Sequence, residues 1–215
     1  MKNNLVRNML GAAVLFSASA FTMAAPIVIN FDVDGLGNPI ATNTPITDQY
    51  ANLGVLFAGI ENDVLVDINA APDPDGVTAP SAPNVLTNCN DASQSCPGNR
   101  ADVVSIFFDM PVFGVSLQLD TLGSLAVTFN LFDATDALLE TVAISSGGSQ
   151  FVPVAFAATD VRRIEGLQPN DGWAWAFDDL TFSASATPVP VPSTLLLLGL
   201  GLLGLGVRGR FSAQA

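Results

Sequence analysis

Alternating apolar and polar side chains constrain the fold of this chain more than any other feature of its sequence. In the segment 113–120 an apolar side chain recurs at every second position, at Phe113, Val115, Leu117 and Leu119. This two-residue period predicts a half-buried strand with one face in the core and the other in water. The segment 125–132 repeats the pattern, and no helical period stands out beside it.

The stretch 25–187 is predicted to be one all-β domain. Met110 and Pro111 are predicted to separate two strands, because proline lacks the N–H that a sheet requires. Residues 69–101 are predicted to form a long irregular loop. Many short strands with turn residues between them predict a single β-sandwich with jelly-roll-like topology. The further predicted strands are 27–31, 53–60, 103–109, 138–145, 151–157, 161–166 and 173–183.

The distribution of charge excludes several classes of function. All 20 acidic residues lie in the stretch 25–187, where three arginines are the only basic residues, so this domain has a formal charge of −17. A surface this negative repels phosphate backbones, so no nucleic-acid binding is expected. The chain contains no histidine, which excludes Ser-His-Asp and Cys-His catalysis. Carboxylate pairs would suit a glycan hydrolase, but at this density they arise by chance, and we expect no enzyme.

Residues 1–24 are predicted to be a secretory signal peptide. Lys2 and Arg7 form its positive segment, and a short apolar run from Met9 to Phe16 follows. An N-terminal membrane anchor is the alternative, but the apolar run is short for a bilayer span. We therefore expect an exported protein.

Residues 188–215 combine three features in a fixed order. A segment that alternates proline and valine comes first, an apolar run from Thr194 to Val207 follows, and Arg208 and Arg210 come last. As a helix the apolar run would span about 21 Å, against roughly 30 Å for the hydrocarbon core, so a short transmembrane helix is predicted. The arginines favour a cytoplasmic C-terminus. A simple tail anchor and a buried core helix are the alternatives.

This tail resembles the PEP-CTERM sorting domain of Gram-negative bacteria, although a valine stands where the name-giving glutamate occurs. The resemblance implies export, transient anchoring in the inner membrane and recognition by an exosortase. It also implies a final place in the cell envelope or outside the cell, in organisms that make exopolysaccharide and biofilm. The residues that correspond to the sorting motif are Val189, Pro190, Val191, Pro192, Ser193, Thr194, Arg208 and Arg210.

Cys89 and Cys96 are the two cysteines of the chain. In an exported protein such a pair predicts one disulfide that closes a short loop. A metal-binding or catalytic role is disfavoured, because the chain offers no histidine and no second cysteine pair. The predicted disulfide implies an oxidising compartment, in agreement with the predicted signal peptide.

Paired aspartates make calcium the one cofactor to consider. Asp32 and Asp34 precede a glycine as at the start of a calcium loop, where hard oxygen ligands must converge. An ordinary turn is the alternative, since aspartate and glycine are common turn residues. Asp178 and Asp179 are adjacent in a predicted strand, so one of them is expected to approach the core and need a partner. Calcium or a network of backbone amides would supply that partner.

Trp173 and Trp175 are two positions apart and would share one face of a strand with Phe177. Exposed aromatic pairs stack on sugar rings, whereas buried pairs belong to the core. The two tryptophans are therefore candidates for carbohydrate binding, with a core position as the alternative.

The order of three segments resembles that of galactose-binding-like and lectin-like jelly rolls. These are an early strand at 29–31, the segment 50–57 and a closing strand at 177–182. Two functions follow from the sequence. One is a non-enzymatic protein of the cell envelope or extracellular matrix, associated with exopolysaccharide. The alternative is a carbohydrate-binding module, with or without calcium.

Overall fold

A computed structural model of the chain describes residues 25–61, 64–73, 76–89, 101–121, 126–148, 150–167 and 174–184. The predicted signal peptide, residues 1–24, and the predicted sorting tail, residues 188–215, lie outside these ranges. Within them, no helix is long and apolar enough to cross a membrane.

The described residues form strands joined by turns, with a single turn of 3-10 helix at Ala51–Leu53. The strands are β1 (Ile27–Ile29), β2 (Thr44–Pro45), β3 (Val55–Glu61), β4 (Val64–Val66), β5 (Asn69–Ala71), β6 (Val85–Thr87), β7 (Val103–Asp120), β8 (Val127–Phe132), β9 (Leu138–Ile144), β10 (Val152–Ala155), β11 (Val161–Leu167) and β12 (Ala176–Ala184).

The long strand β7 connects two halves of the sheet. Its first part, residues 103–108, pairs with β3 and β11, and β4, β8 and β9 extend this half. Its last part, residues 113–120, pairs with β10 and β12, and β1, β6, β5 and β2 extend the other half. All of these ladders are antiparallel. The two halves therefore share one strand.

Aromatic side chains from the two halves meet in one core. Phe129 of β8 lies edge-on to Trp175, with ring centroids 5.9 Å apart. Phe108 of β7 and Phe182 of β12 are 5.0 Å apart, also edge-on. Edge-to-face contacts of this kind add to the stabilisation from burial alone. The packing of one half against the other confirms the prediction of an all-β sandwich.

The predicted strand break at Met110 and Pro111 is wrong, because β7 runs through both residues. The neighbouring strand β11 changes register at this point, and its Val161 and Arg163 pair with Val112 and Phe107 of β7. Pro111 lies in the gap between these partners, where a missing N–H costs no ladder hydrogen bond. The proline therefore marks the place where β7 changes neighbours.

The predicted long loop at 69–101 is wrong in part, because it contains strands β5 and β6. Every residue of these two strands is buried. A strand that is covered on both faces shows no alternation of apolar and polar residues. The two-residue period that identified the longer strands is therefore missing here.

Candidate functional site

A groove of about 560 Å³ crosses β1, β12, β7 and β10 on the face opposite to the core. Leu117 on β7 and Val154 on β10 are buried beneath it. Between such core positions, the alternate residues of each strand turn outward and line the groove. The outward residues that line it are Val28, Ser116, Gln118, Pro153, Asp179 and Thr181.

A bulge in β12 shapes one wall of the groove. Asp178 pairs with Gln118, and Thr181 pairs with Ser116, so three steps along β12 match two steps along β7. Asp179 lies inside the bulge with a φ of 49°, in the left-handed region that aspartate adopts more readily than most residues. The extra residue interrupts the simple alternation of faces that two adjacent aspartates predict.

Asp178 is fully buried, and its carboxylate is held by the segment that covers it. It accepts hydrogen bonds from the Ser81 backbone N–H at 2.8 Å, from the Ser81 hydroxyl at 2.9 Å and from the Asp179 N–H at 2.8 Å. Burial raises the pKa of Asp178 to about 7, against the lowering effect of these hydrogen bonds. Hydrogen bonds thus give Asp178 the partners that a buried aspartate requires.

Asp179 lies beside it and is partly exposed. Its carboxylate makes no hydrogen bond or ion pair with any residue that the structure describes, and the same holds for the side chains of Ser116 and Gln118. These groups are free to bind a ligand. A carboxylate, an amide and a hydroxyl together accept and donate hydrogen bonds, as a ligand rich in hydroxyl groups requires.

The aspartates of the other predicted calcium loop hold the backbone of their own region. Asp34 accepts hydrogen bonds from the N–H groups of Leu36 and Asn38, each at 2.8 Å, and from the Asn38 amide at 2.9 Å. The Asn38 amide and these backbone donors lower the pKa of Asp34. Asp32 accepts the N–H of Asn84 at 2.8 Å. Calcium binding stays a prediction, and within the described ranges no three potential metal ligands from acidic, cysteine or histidine side chains cluster.

Trp175 cannot stack on a sugar, so that prediction is wrong. Its side chain is 1% exposed and stacks on Phe177 with ring centroids 5.7 Å apart. Burial of the ring between two core aromatic side chains is worth more than its exposure to water. The other candidate, Trp173, lies outside the described residues. The groove residues Ser116 and Gln118 were not predicted, although they are the polar positions of the alternation that identified β7.

Cys89 is buried and disulfide-bonded. Its predicted partner, Cys96, lies outside the described residues, as do all of the predicted sorting residues.

A second groove, of about 420 Å³, lies beside the 3-10 turn. Phe108, Met110 and Phe182 give it a mainly apolar lining, with Asn52 and Asp109 among its few polar residues. It offers fewer groups that could orient a polar ligand than the groove over β7 and β12 does.

Similar solved structures share little sequence with this chain. Similar structures include the CBM22-1 and GH10 modules of the Clostridium thermocellum xylanase Xyn10B, at 12% identity and a TM-score of 0.40, over 77% of this chain and 29% of that one. The K2 cleaved adhesin domain of Lys-gingipain has 12% identity and a TM-score of 0.46, over 74% and 99%. The carbohydrate binding module CBM29-2, as a mutant, has 15% identity and a TM-score of 0.39, over 79% and 99%. These values assign no ligand and no residue role to this chain.

No curated protein matches the sequence. The family model of the PEP-CTERM protein-sorting motif matches residues 188–210. The match confirms the resemblance that the proline segment, apolar run and terminal arginines predicted. Such a motif indicates a sorted protein that is exported across the inner membrane of a Gram-negative bacterium. The chain is therefore a PEP-CTERM sorting domain-containing protein.

Proposed function

We propose that this chain is a non-catalytic protein of the cell envelope or extracellular matrix that is sorted by an exosortase and binds extracellular polysaccharide. The sorting motif at residues 188–210 supports export and sorting. The binding role depends on a single observation, which is the groove with free polar side chains over β7 and β12.

The side chains of the groove suit a sugar ligand. Each sugar hydroxyl both donates and accepts hydrogen bonds, and the amide of Gln118 can meet it in either role. Val28, whose side chain is 55% exposed, and Pro153 offer apolar surface to the C–H faces of a sugar ring. A concave surface with a few convergent polar groups is the usual form of a small-ligand site.

Binding is tested with the full chain, purified in mild detergent, and the exopolysaccharide of its host. Gln118→Ala and Thr181→Ala each remove a groove hydrogen bond and are expected to weaken binding about five- to tenfold. Thr141→Ala is the matched control, because Thr141 is exposed on β9, away from the groove residues. Equal binding by all three variants and the parent chain would contradict the proposed role of the groove.

Sorting is tested by the mass of the protein recovered from the envelope. If an exosortase processes the tail, the recovered chain ends near Pro192, and removal of the host exosortase restores the full length. Recovery from unmodified cells of chains that all extend to Ala215 would contradict processing and leave a plain membrane anchor.

A further inference from the structure

Asp179 is the one charged side chain among the described residues that line the groove. The surrounding domain is strongly acidic, with a formal charge of −17 between residues 25 and 187. Arg163, one of its three arginines, is already paired with Asp136 and Glu165. An anionic polysaccharide entering this groove would meet a negative field and no neighbouring cation among the described lining residues. The electrostatics favour a ligand with positive charge.

The backbone places the Asp179 carboxylate at this surface. Bulges often lie next to binding sites and redirect a side chain. The left-handed φ of 49° at Asp179 is a sparsely populated conformation that costs free energy, so the fold maintains it against that cost. Asp178 cannot serve the same purpose, because Ser81 and the Asp179 N–H already occupy its oxygens.

We infer that the groove selects a polysaccharide of hexosamine units with free, protonated amino groups. Asp179 accepts a charge-assisted hydrogen bond from the ammonium group, while Gln118 and Thr181 meet the hydroxyl groups of the same chain. Charge-assisted hydrogen bonds are roughly twice as strong as neutral ones, so one such contact can set the preference. This inference rests on the proposed function, because it names the class of polysaccharide that the same groove binds.

The test compares three oligosaccharides of equal length and β-1,4 linkage, made of glucosamine, N-acetylglucosamine or glucose. Calorimetric titration into the full chain is expected to show that the glucosamine oligomer binds about tenfold more tightly than the other two. Added salt should reduce this preference, because it screens the attraction between the ammonium group and the carboxylate. A chelator in the buffer should leave the preference unchanged.

Two variants with the same change of charge locate the preference. Asp179→Asn keeps a side chain that tolerates the left-handed conformation and removes the carboxylate, so binding of the three oligomers should become nearly equal. Asp109→Asn removes a negative charge from an exposed residue of the second groove and should preserve the preference.

The remaining outcomes separate this inference from the proposed function. Equal binding of all three oligomers, still weakened by Gln118→Ala, would overturn the amino-sugar preference and keep the carbohydrate site. Binding of none of them, nor of the host polysaccharide, would overturn both. Equal affinity for oligolysine, lost in Asp179→Asn, would overturn the inference in favour of a cationic peptide. Loss of the preference with chelator would show that a metal ion, rather than the carboxylate, contacts the sugar.

Discussion

The two faces of the paired strands β7 and β12 differ in what their side chains do. On the core face, Leu117, Phe177 and Leu180 are almost completely buried. On the groove face, Gln118 and Asp179 are partly exposed and make no side-chain hydrogen bond to other described residues. Successive residues of one strand thus serve different ends, because the backbone that positions the groove is held in place by the opposite face. Substitutions on the core face should change stability, and substitutions on the groove face should change binding.

The strongest challenge to this separation is Trp175→Ala on the core side. Loss of a buried indole between Phe129 and Phe177 is expected to reduce the free energy of unfolding by about 3–5 kcal/mol, because a cavity remains. Urea denaturation measures the loss. Trp175→Phe should cost less, since a ring remains and the indole N–H has no hydrogen-bond partner among the described residues to lose. A cost below about 1 kcal/mol for the alanine variant would show that the ring is not packed as described.

Gly166→Ala tests how tightly β11 packs against the same ring. An added Cβ would lie 2.7 Å from Cη2 of Trp175 and 3.1 Å from Cε1 of Phe129, closer than normal contact allows. Overpacking of this kind is expected to cost about 1–3 kcal/mol, measured as a lower denaturation midpoint. In a Trp175→Phe background the smaller ring should reduce that cost. Purely additive losses would contradict the contact.

Asp178, between the two faces, should make stability depend on pH. Burial raises its folded pKa to about 7 from an ordinary value of 3.8, so protonation of this carboxyl stabilises the fold. That contribution is complete below the unfolded pKa and is lost as the pH rises through the folded pKa, between about pH 4 and pH 7. Asp178→Asn stays neutral and should not lose stability in this window. Urea unfolding at several pH values checks this, and parallel profiles for the two proteins would contradict it.

Asp179→Asn should have the smallest effect on stability of the four substitutions. The side chain is partly exposed, and asparagine tolerates the left-handed conformation, so the free energy of unfolding should change by less than about 0.5 kcal/mol. Asp179→Val is the contrast, because a β-branched residue at this positive φ should cost about 1–3 kcal/mol. Thermal unfolding of both variants measures the difference. A large loss in the asparagine variant would mean that Asp179 is part of the folded framework rather than a free ligand-binding group.

The alternation in β7 predicted which of its side chains reach the core and which reach solvent. The same alternation could not locate the end of the strand, since Pro111 breaks a sheet only where its missing N–H faces a hydrogen-bonded neighbour. It also could not reveal β5, whose residues are all buried and therefore show no period. Prediction succeeded where one face meets water and failed where both faces are covered.

The sequence by itself determined the all-β class through its two-residue period, the acidic character of the domain and the sorting motif at its end. All three depend on residue types or on neighbours along the chain. Only the tertiary structure decided that Trp175 lies in the core, that Ser81 covers Asp178 and that the bulge leaves Asp179 free in the groove. The physical reason is that burial depends on what distant segments place over a side chain. Ser81 and Asp178 are 97 positions apart, and no local pattern records their contact.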